Sequence, residues 1–178
     1  MKLIKLFLFI FILCLVFPVA SKADQYEDAT RAFADKDYKK ATELLSALTE
    51  ENNLAAKTLL GTMYFKGEGI DRDINKGLAM IMDAASQGYA QARFISVALN
   101  KEIADLGDVK AMYNMGYMCL KGWGGEHDSG QCIRWLEIAA GQGHEKSAKI
   151  LSQIYSKGKF GIAPDADKAS YWSNMVKK

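Results

Sequence analysis

The sequence predicts an all-α protein built from repeated antiparallel helix pairs. Residues 56–69 recur at 111–124, and the match continues without a gap to Gly88 and Gly143 at the same offset of 55 residues. Each copy holds two segments of helical periodicity separated by a glycine-rich loop, which is typical of helical repeat units. The 178 residues are 49% apolar and 25% charged, a balance that suits a globular chain with an ordinary hydrophobic core.

The first 23 residues predict a secretory signal. Two lysines precede the apolar run 6–20, and Ser21 and Ala23 supply the small residues of a cleavage site after Ala23. The alternative is an uncleaved anchor, but the run is shorter than the roughly 20 residues that span a bilayer, and Pro18 interrupts it. We therefore expect a periplasmic or secreted mature chain with no stable membrane span.

The chain after the leader divides into an opening helix pair and a repeat region. Residues 24–52 predict two helices joined by a short turn at 35–37. The repeat region 53–178 holds three full units and, between the first and second of them, a shortened unit; in chain order they are 53–88, 89–107, 108–143 and 144–178. For the shortened unit we favour two short helices that break near Asn100, because they preserve the spiral. A single helix would instead make the helix count odd and reverse the next hairpin.

Capping residues set the helix boundaries within each unit. Gly67 and Gly69 end the first helix of the first unit, because glycine readily adopts positive φ. Each second helix has an aspartate at its expected N-cap, namely Asp73, Asp128 and Asp165. The expected C-caps are Gly88, Gly107 and Gly143.

The repeated pattern resembles a known family. A-x-x-x-L-G-x-x-Y-x-x-G-x-G, followed by D-x-x-K-A-x-x-W and A-A-x-x-G, is similar to the Sel-one-like repeat (SLR), a relative of the tetratricopeptide repeat. Residues 24–52 resemble a tetratricopeptide-type opening pair. The resemblance implies a right-handed α-solenoid whose first helices line a concave groove. It also implies a scaffold for protein complexes, and exported bacterial members act in the envelope, some of them as binders of peptidoglycan fragments.

The mature chain keeps two cysteines where the family pattern has other residues. Cys119 replaces the tyrosine of the first helix, and Gln131-Cys132 replaces Lys-Ala of the second. Cys119 falls in the last turn of one helix and Cys132 in the first turns of the next, so both belong to one end of a hairpin. An oxidising compartment favours a disulfide between them. Two buried thiols are the alternative.

Two tyrosines mark the candidate binding site. Tyr113 and Tyr117 lie four residues apart on one helix face, with Asn114 beside them. Their counterparts in the other full units are polar, so the fold does not require an aromatic side chain at either position; these counterparts are Thr58, Thr62, Lys149 and Gln153. An aromatic pair on a groove-lining helix indicates a protein or peptide partner. Packing against residues 89–107 is the alternative.

Catalysis and cofactor binding have little support in the sequence. Glu126-His127-Asp128 is the one cluster that resembles a metal or catalytic set, and a helix separates His127 from His144 by too great a distance for one ion. Without the leader the chain has 20 basic and 21 acidic residues, which excludes a nucleic-acid footprint. We expect a non-enzymatic scaffold with no cofactor and no metal. The alternatives are a muropeptide binder and an immunity or inhibitor protein against an envelope-acting toxin.

Overall fold

The computed structural model describes residues 21–125 and 128–176, which form nine α-helices and no β-strand. The opening pair and the helices of the first full unit are α1 Lys22–Ala34, α2 Tyr38–Glu50, α3 Leu54–Lys66 and α4 Ile74–Ser86. The remaining helices are α5 Ala90–Asp105, α6 Val109–Leu120, α7 Ser129–Gly141, α8 Glu145–Lys157 and α9 Ala166–Met175. The all-α repeat architecture predicted from the sequence is confirmed.

The predicted leader falls mainly on residues 1–20, which lie outside the described part of the chain. Its last residues belong to α1, where the Ser21 hydroxyl accepts from the Asp24 backbone N–H and the Asp24 carboxylate accepts from the Ser21 N–H. Within 21–125 and 128–176, none of the helices has the length and apolar character needed to cross a bilayer.

The predicted capping residues occupy the helix ends. The N-caps of α4, α7 and α9 are aspartates whose carboxylates accept from backbone N–H groups of the first turn; they are Asp73, Asp128 and Asp165. Gly67 caps α3 at φ 76°. The other three glycines each lie one residue beyond the C-cap, at φ 101°, 95° and 87°; they are Gly88, Gly107 and Gly143.

Consecutive helices pack against one another along the whole described chain. Because the turns between them are short, neighbours run antiparallel, and the helices alternate between two layers. One layer holds the odd-numbered helices and the other holds the even-numbered helices. The core lies between the layers and includes the fully buried side chains of Leu45, Met63, Ile81, Met118, Leu136 and Leu151.

The expected break near Asn100 is wrong, because residues 90–105 form one continuous helix. Ala92, Ser96, Asn100 and Ala104 recur every four residues and are all buried. A straight helix aligns this stripe against its neighbours, and the Asn100 amide donates to the Ser96 carbonyl at 2.9 Å, which supports the helix from within. The number of helices within residues 21–125 and 128–176 is therefore odd.

The loop of the second full unit confirms the reversal that follows from one helix. Trp123 packs against a cluster that contains Ala84 and Ala92, at the start of α5. A Cβ at Gly124, which adopts φ 87°, would lie 3.1 Å from the side chain of Val97. By contrast, the loop of the first full unit lies against Tyr38, at the start of α2. The two glycine-rich loops thus lie at opposite ends of the helices.

Candidate binding surface

The single helix α5 moves the first helix of each unit from one layer to the other. In the first full unit this helix is α3, which lies with α1 and α5. In the later units these helices are α6 and α8, which lie with α4. The groove-lining positions of the two halves of the molecule therefore face opposite sides.

Each side carries a cavity. The side of α1, α3 and α5 has one of about 260 Å³, lined by Tyr26, Thr58, Thr62, Glu68 and Tyr89, among others. The side of α4, α6 and α8 has one of about 340 Å³, whose wall includes Leu78 and Met82 of α4, Tyr113 of α6 and Lys146 of α8. Thr58 and Tyr113 occupy equivalent repeat positions, so the same position of the repeat opens onto both cavities.

Tyr113 and Tyr117 form the aromatic pair that the sequence predicts. Their ring centroids lie 6.2 Å apart in a stacked arrangement, and both side chains are half-buried. The Tyr113 ring also lies 4.5 Å from the His144 ring, a contact that the sequence pattern did not indicate. Burial and the neighbouring Tyr117 raise the pKa of the Tyr113 hydroxyl. His144 thus contacts one ring of the pair, and both tyrosine side chains remain partly exposed to solvent.

His144 links this surface to the start of α8. It is the N-cap of that helix, and its Nδ1 accepts from the Ser147 backbone N–H at 3.3 Å. Partial burial lowers the pKa of His144, the nearby Lys146 lowers it further, and Glu145 opposes the shift. The neutral imidazole is therefore the form that both caps α8 and contacts the Tyr113 ring.

Asn114, the third residue of the predicted site, is only 6% exposed. Its side-chain amide donates to Asn100 Oδ1 at 2.8 Å, and the Asn100 side-chain amide donates in turn to the Ser96 backbone carbonyl. This buried chain joins α6 to α5 and supports the wall behind Tyr113. Its signal in the sequence is an asparagine where the equivalent residues are Leu59 and Ile150.

The disulfide lies at the C-terminal end of α6, whereas Tyr113 lies near the start of this helix. This disulfide joins Cys119 to Cys132, with 5.2 Å between their Cα atoms, and it ties the end of α6 to the start of α7. Within the described residues, no group of three or more His, Cys, Asp or Glu side chains is placed to hold a metal ion. The predicted cluster at 126–128 lies partly outside the described residues.

These features define a helical repeat protein with a cavity on the side of each layer. The Sel1 repeat model matches residues 54–89, 109–144 and 147–175, which together make up more than half of the chain. The chain belongs to the Sel1 repeat family. Proteins of this family mediate protein–protein interactions and are generally non-enzymatic scaffolds.

Several solved structures are similar to the chain at low sequence identity. A protective antigen of uropathogenic Escherichia coli with an SLR fold is 21% identical, with a TM-score of 0.44; the match covers 89% of this chain and 38% of the antigen. A Sel1 repeat protein from Oxalobacter formigenes is 23% identical, with a TM-score of 0.42 and coverages of 93% and 77%. An immunity protein from Pseudomonas aeruginosa is 15% identical, with a TM-score of 0.39 and coverages of 91% and 84%. No curated protein sequence matches the chain.

Proposed function

We propose that the protein is an exported, non-enzymatic adaptor of the cell envelope that binds a protein or peptide on the side of α4, α6 and α8. The observation that carries this proposal is the pair Tyr113 and Tyr117, which lines that side at positions where the other full units have small or polar side chains. Half-buried tyrosines supply apolar contact area together with a hydrogen-bonding hydroxyl, and they are enriched where proteins bind one another.

Export is supported by two independent features of the chain. The leader at 1–23 has the tripartite pattern of a secretory signal. The Cys119–Cys132 disulfide suits the oxidising conditions outside the cytoplasm. The N-terminal mass of the exported protein tests this part of the proposal: a chain that begins at Asp24 supports it, and one that still begins at Met1 contradicts it.

Site-specific photo-crosslinking in the envelope tests the binding surface. A photoreactive phenylalanine analogue replaces Tyr117, and mass spectrometry identifies the crosslinked protein and the linked peptide. The same analogue at Thr62 is the matched control, because Thr62 is the equivalent residue on the opposite layer. We expect one protein to crosslink through position 117 and not through position 62.

A second variant separates the adaptor from its site. Tyr113→Ala/Tyr117→Ala should abolish capture of that protein in an envelope pull-down, whereas Thr58→Ala/Thr62→Ala should retain it. A protein that both double variants retain would preserve the adaptor and exclude this surface. Circular dichroism of the purified variants shows whether each one is folded.

A further inference from the structure

The exposed edge of α6 carries a lysine on either side of the tyrosine pair. Lys110, Tyr113, Tyr117 and Lys121 follow one another at intervals of three, four and four residues, which places them in one stripe along the helix. Lys121 is the C-cap residue of α6, and its ammonium lies 5.6 Å from the centroid of the Tyr117 ring. A lysine therefore stands at each end of the stripe.

The next helix of the same layer repeats this arrangement with more positive charge. The positions of α8 that are equivalent to that stripe hold Lys146, Lys149, Gln153 and Lys157. Lys110 and Lys146 both line the 340 Å³ cavity beside Tyr113. The first full unit has Ala55, Thr58, Thr62 and Lys66 at the same positions, so the accumulation of lysine is specific to the second half.

These lysines have no acidic partner among the described residues. Ion pairs within 4 Å occupy lysines elsewhere, as with Lys57 and Asp83 or Lys101 and Asp105. No described carboxylate makes such a pair with any lysine of the two stripes, which are Lys110, Lys121, Lys146, Lys149 and Lys157. Asp108, which lines the cavity, accepts from the Ala111 backbone N–H at 2.7 Å as the N-cap of α6.

Charge is also distributed unevenly along the mature chain. Residues 24–107 contain ten basic and fourteen acidic side chains, whereas residues 108–178 contain ten basic and seven acidic ones. An anionic ligand is therefore attracted to the half of the molecule that carries the tyrosine pair and is repelled by the other half.

We propose that the partner presents an acidic, extended segment to this surface, with carboxylates near both of its ends and an apolar or aromatic side chain between them. This inference rests on the proposed function. Lys110 and Lys121 are eleven residues apart in sequence, which corresponds to roughly 16 Å along a helix. An extended chain covers that distance in about five residues. The central side chain enters the cavity beside Tyr113, where Leu78 and Met82 provide an apolar wall.

Selection from a library of random peptides displayed on phage tests the chemistry of the segment with the full mature protein. We expect wild type to enrich peptides that carry Asp or Glu about five residues apart on either side of an apolar or aromatic residue. Lys110→Glu/Lys121→Glu should weaken binding of the selected peptides at least about tenfold in fluorescence anisotropy, because like charges then face each other. Lys110→Gln/Lys121→Gln, which is milder towards the fold, should weaken it less.

A matched pair of lysines controls for net charge. Lys39→Glu/Lys40→Glu changes the net charge equally at exposed positions of α2, away from both stripes, and should leave binding unchanged. Enrichment of neutral or basic peptides that still require Tyr113 and Tyr117 would contradict the proposal that the bound segment is acidic. It would still support the binding surface. Peptides that bind wild type and Tyr113→Ala/Tyr117→Ala equally would contradict both proposals. Tighter binding of single-stranded oligonucleotide or phosphatidylglycerol vesicles through the same lysines would replace the peptide with another polyanion.

Discussion

The first and second full repeats share one template but close their helix pairs by different means. In the first, Gly77 allows α4 to approach α3 so closely that an added Cβ would lie 2.5 Å from the Gly61 carbonyl oxygen. Above this crossing, the Lys76 ammonium lies 3.9 Å from the centroid of the Tyr64 ring. In the second, Cys119 and Cys132 occupy the positions of Tyr64 and Gly77, and a disulfide joins them.

The third full repeat shows which arrangement is the usual one. There the Lys168 ammonium lies 5.0 Å from the centroid of the Tyr155 ring, as in the first repeat. The disulfide of the second repeat therefore stands where the other two repeats have a contact between a cation and an aromatic ring. The comparison teaches that a covalent link can replace this contact at the same corner of the fold.

The largest effect is expected from removal of the disulfide. Cys119→Ala/Cys132→Ala should lower the free energy of unfolding by about 3 kcal/mol, because the link no longer restricts the unfolded chain. Urea unfolding followed by circular dichroism measures the loss. Cys119→Tyr/Gln131→Lys/Cys132→Ala restores the pattern of the other repeats and should recover part of it without sensitivity to reductant. Equal stability of wild type and the double alanine variant would contradict the structural role of the link.

Gly77→Ala should have the next largest effect, a loss of about 2 kcal/mol from overpacking. The added methyl group would meet backbone atoms, namely the Gly61 carbonyl oxygen and the Phe65 nitrogen at 2.7 Å. Gly116, the second-repeat equivalent of Gly61, lies on the other helix of the corresponding crossing, and Gly116→Ala is the comparison there, because the atoms nearest to its added Cβ belong to the movable Leu136 side chain at 2.6 Å. Thermal and urea unfolding should show the smaller loss for Gly116→Ala. Similar losses at both positions would show that the two crossings are equally tight.

Asn114→Leu introduces into the second repeat the side chain that the first repeat has at Leu59. It should lower the free energy of unfolding by about 1–2 kcal/mol, because the buried side-chain Oδ1 of Asn100 loses its donor. Asn100→Ala/Asn114→Leu removes both partners, and a double-mutant cycle should then show a strong coupling between the two positions. Additive losses in that cycle would exclude the bond as a source of stability.

The smallest effect is expected from titration of His144, whose counterpart in the first repeat is the non-titrating N-cap Asn53. The folded protein lowers the pKa of His144, so the unfolded chain binds the proton more readily. The contribution to stability is therefore complete above about pH 6.5 and is lost as the pH falls through the lower pKa of the folded state. Urea unfolding at pH 7 and pH 5 should show this decrease, and His144→Asn should reduce it. An undiminished decrease in that variant would assign it to other groups.

Much of the fold could be predicted because the repeats align with one another in sequence. Aspartate N-caps and glycine turns are local signals, and the structure places them at the expected helix ends. The continuity of α5 could not be read in the same way, because its buried stripe mixes alanine with Ser96 and Asn100. Two short helices would also have preserved the spiral, and only the packed structure, in which the Asn100 side chain bonds to Ser96 and Asn114, distinguishes one helix from two.

Of the candidate site, the sequence predicted the aromatic pair but not the contacts that hold it. The aromatic pair was visible because repeat positions can be compared, which set Tyr113 and Tyr117 against threonine, lysine and glutamine. Asn114 could not be assigned from its neighbours alone, since its partner Asn100 lies on another helix. The contact between Tyr113 and His144 likewise joins two helices, α6 and α8, and depends on how they pack.

Because α5 is a single helix and not a pair, equivalent repeat positions before and after it lie on opposite layers. The number of helices between two such positions decides whether they share a side. Insertion or loss of whole helix pairs between two positions leaves their sides unchanged. Gain or loss of one helix moves one of the positions to the opposite side. Molecules held at Thr58 and at Tyr113 would consequently sit back to back, with the helical layers as a partition between them. Neither would compete with the other for space.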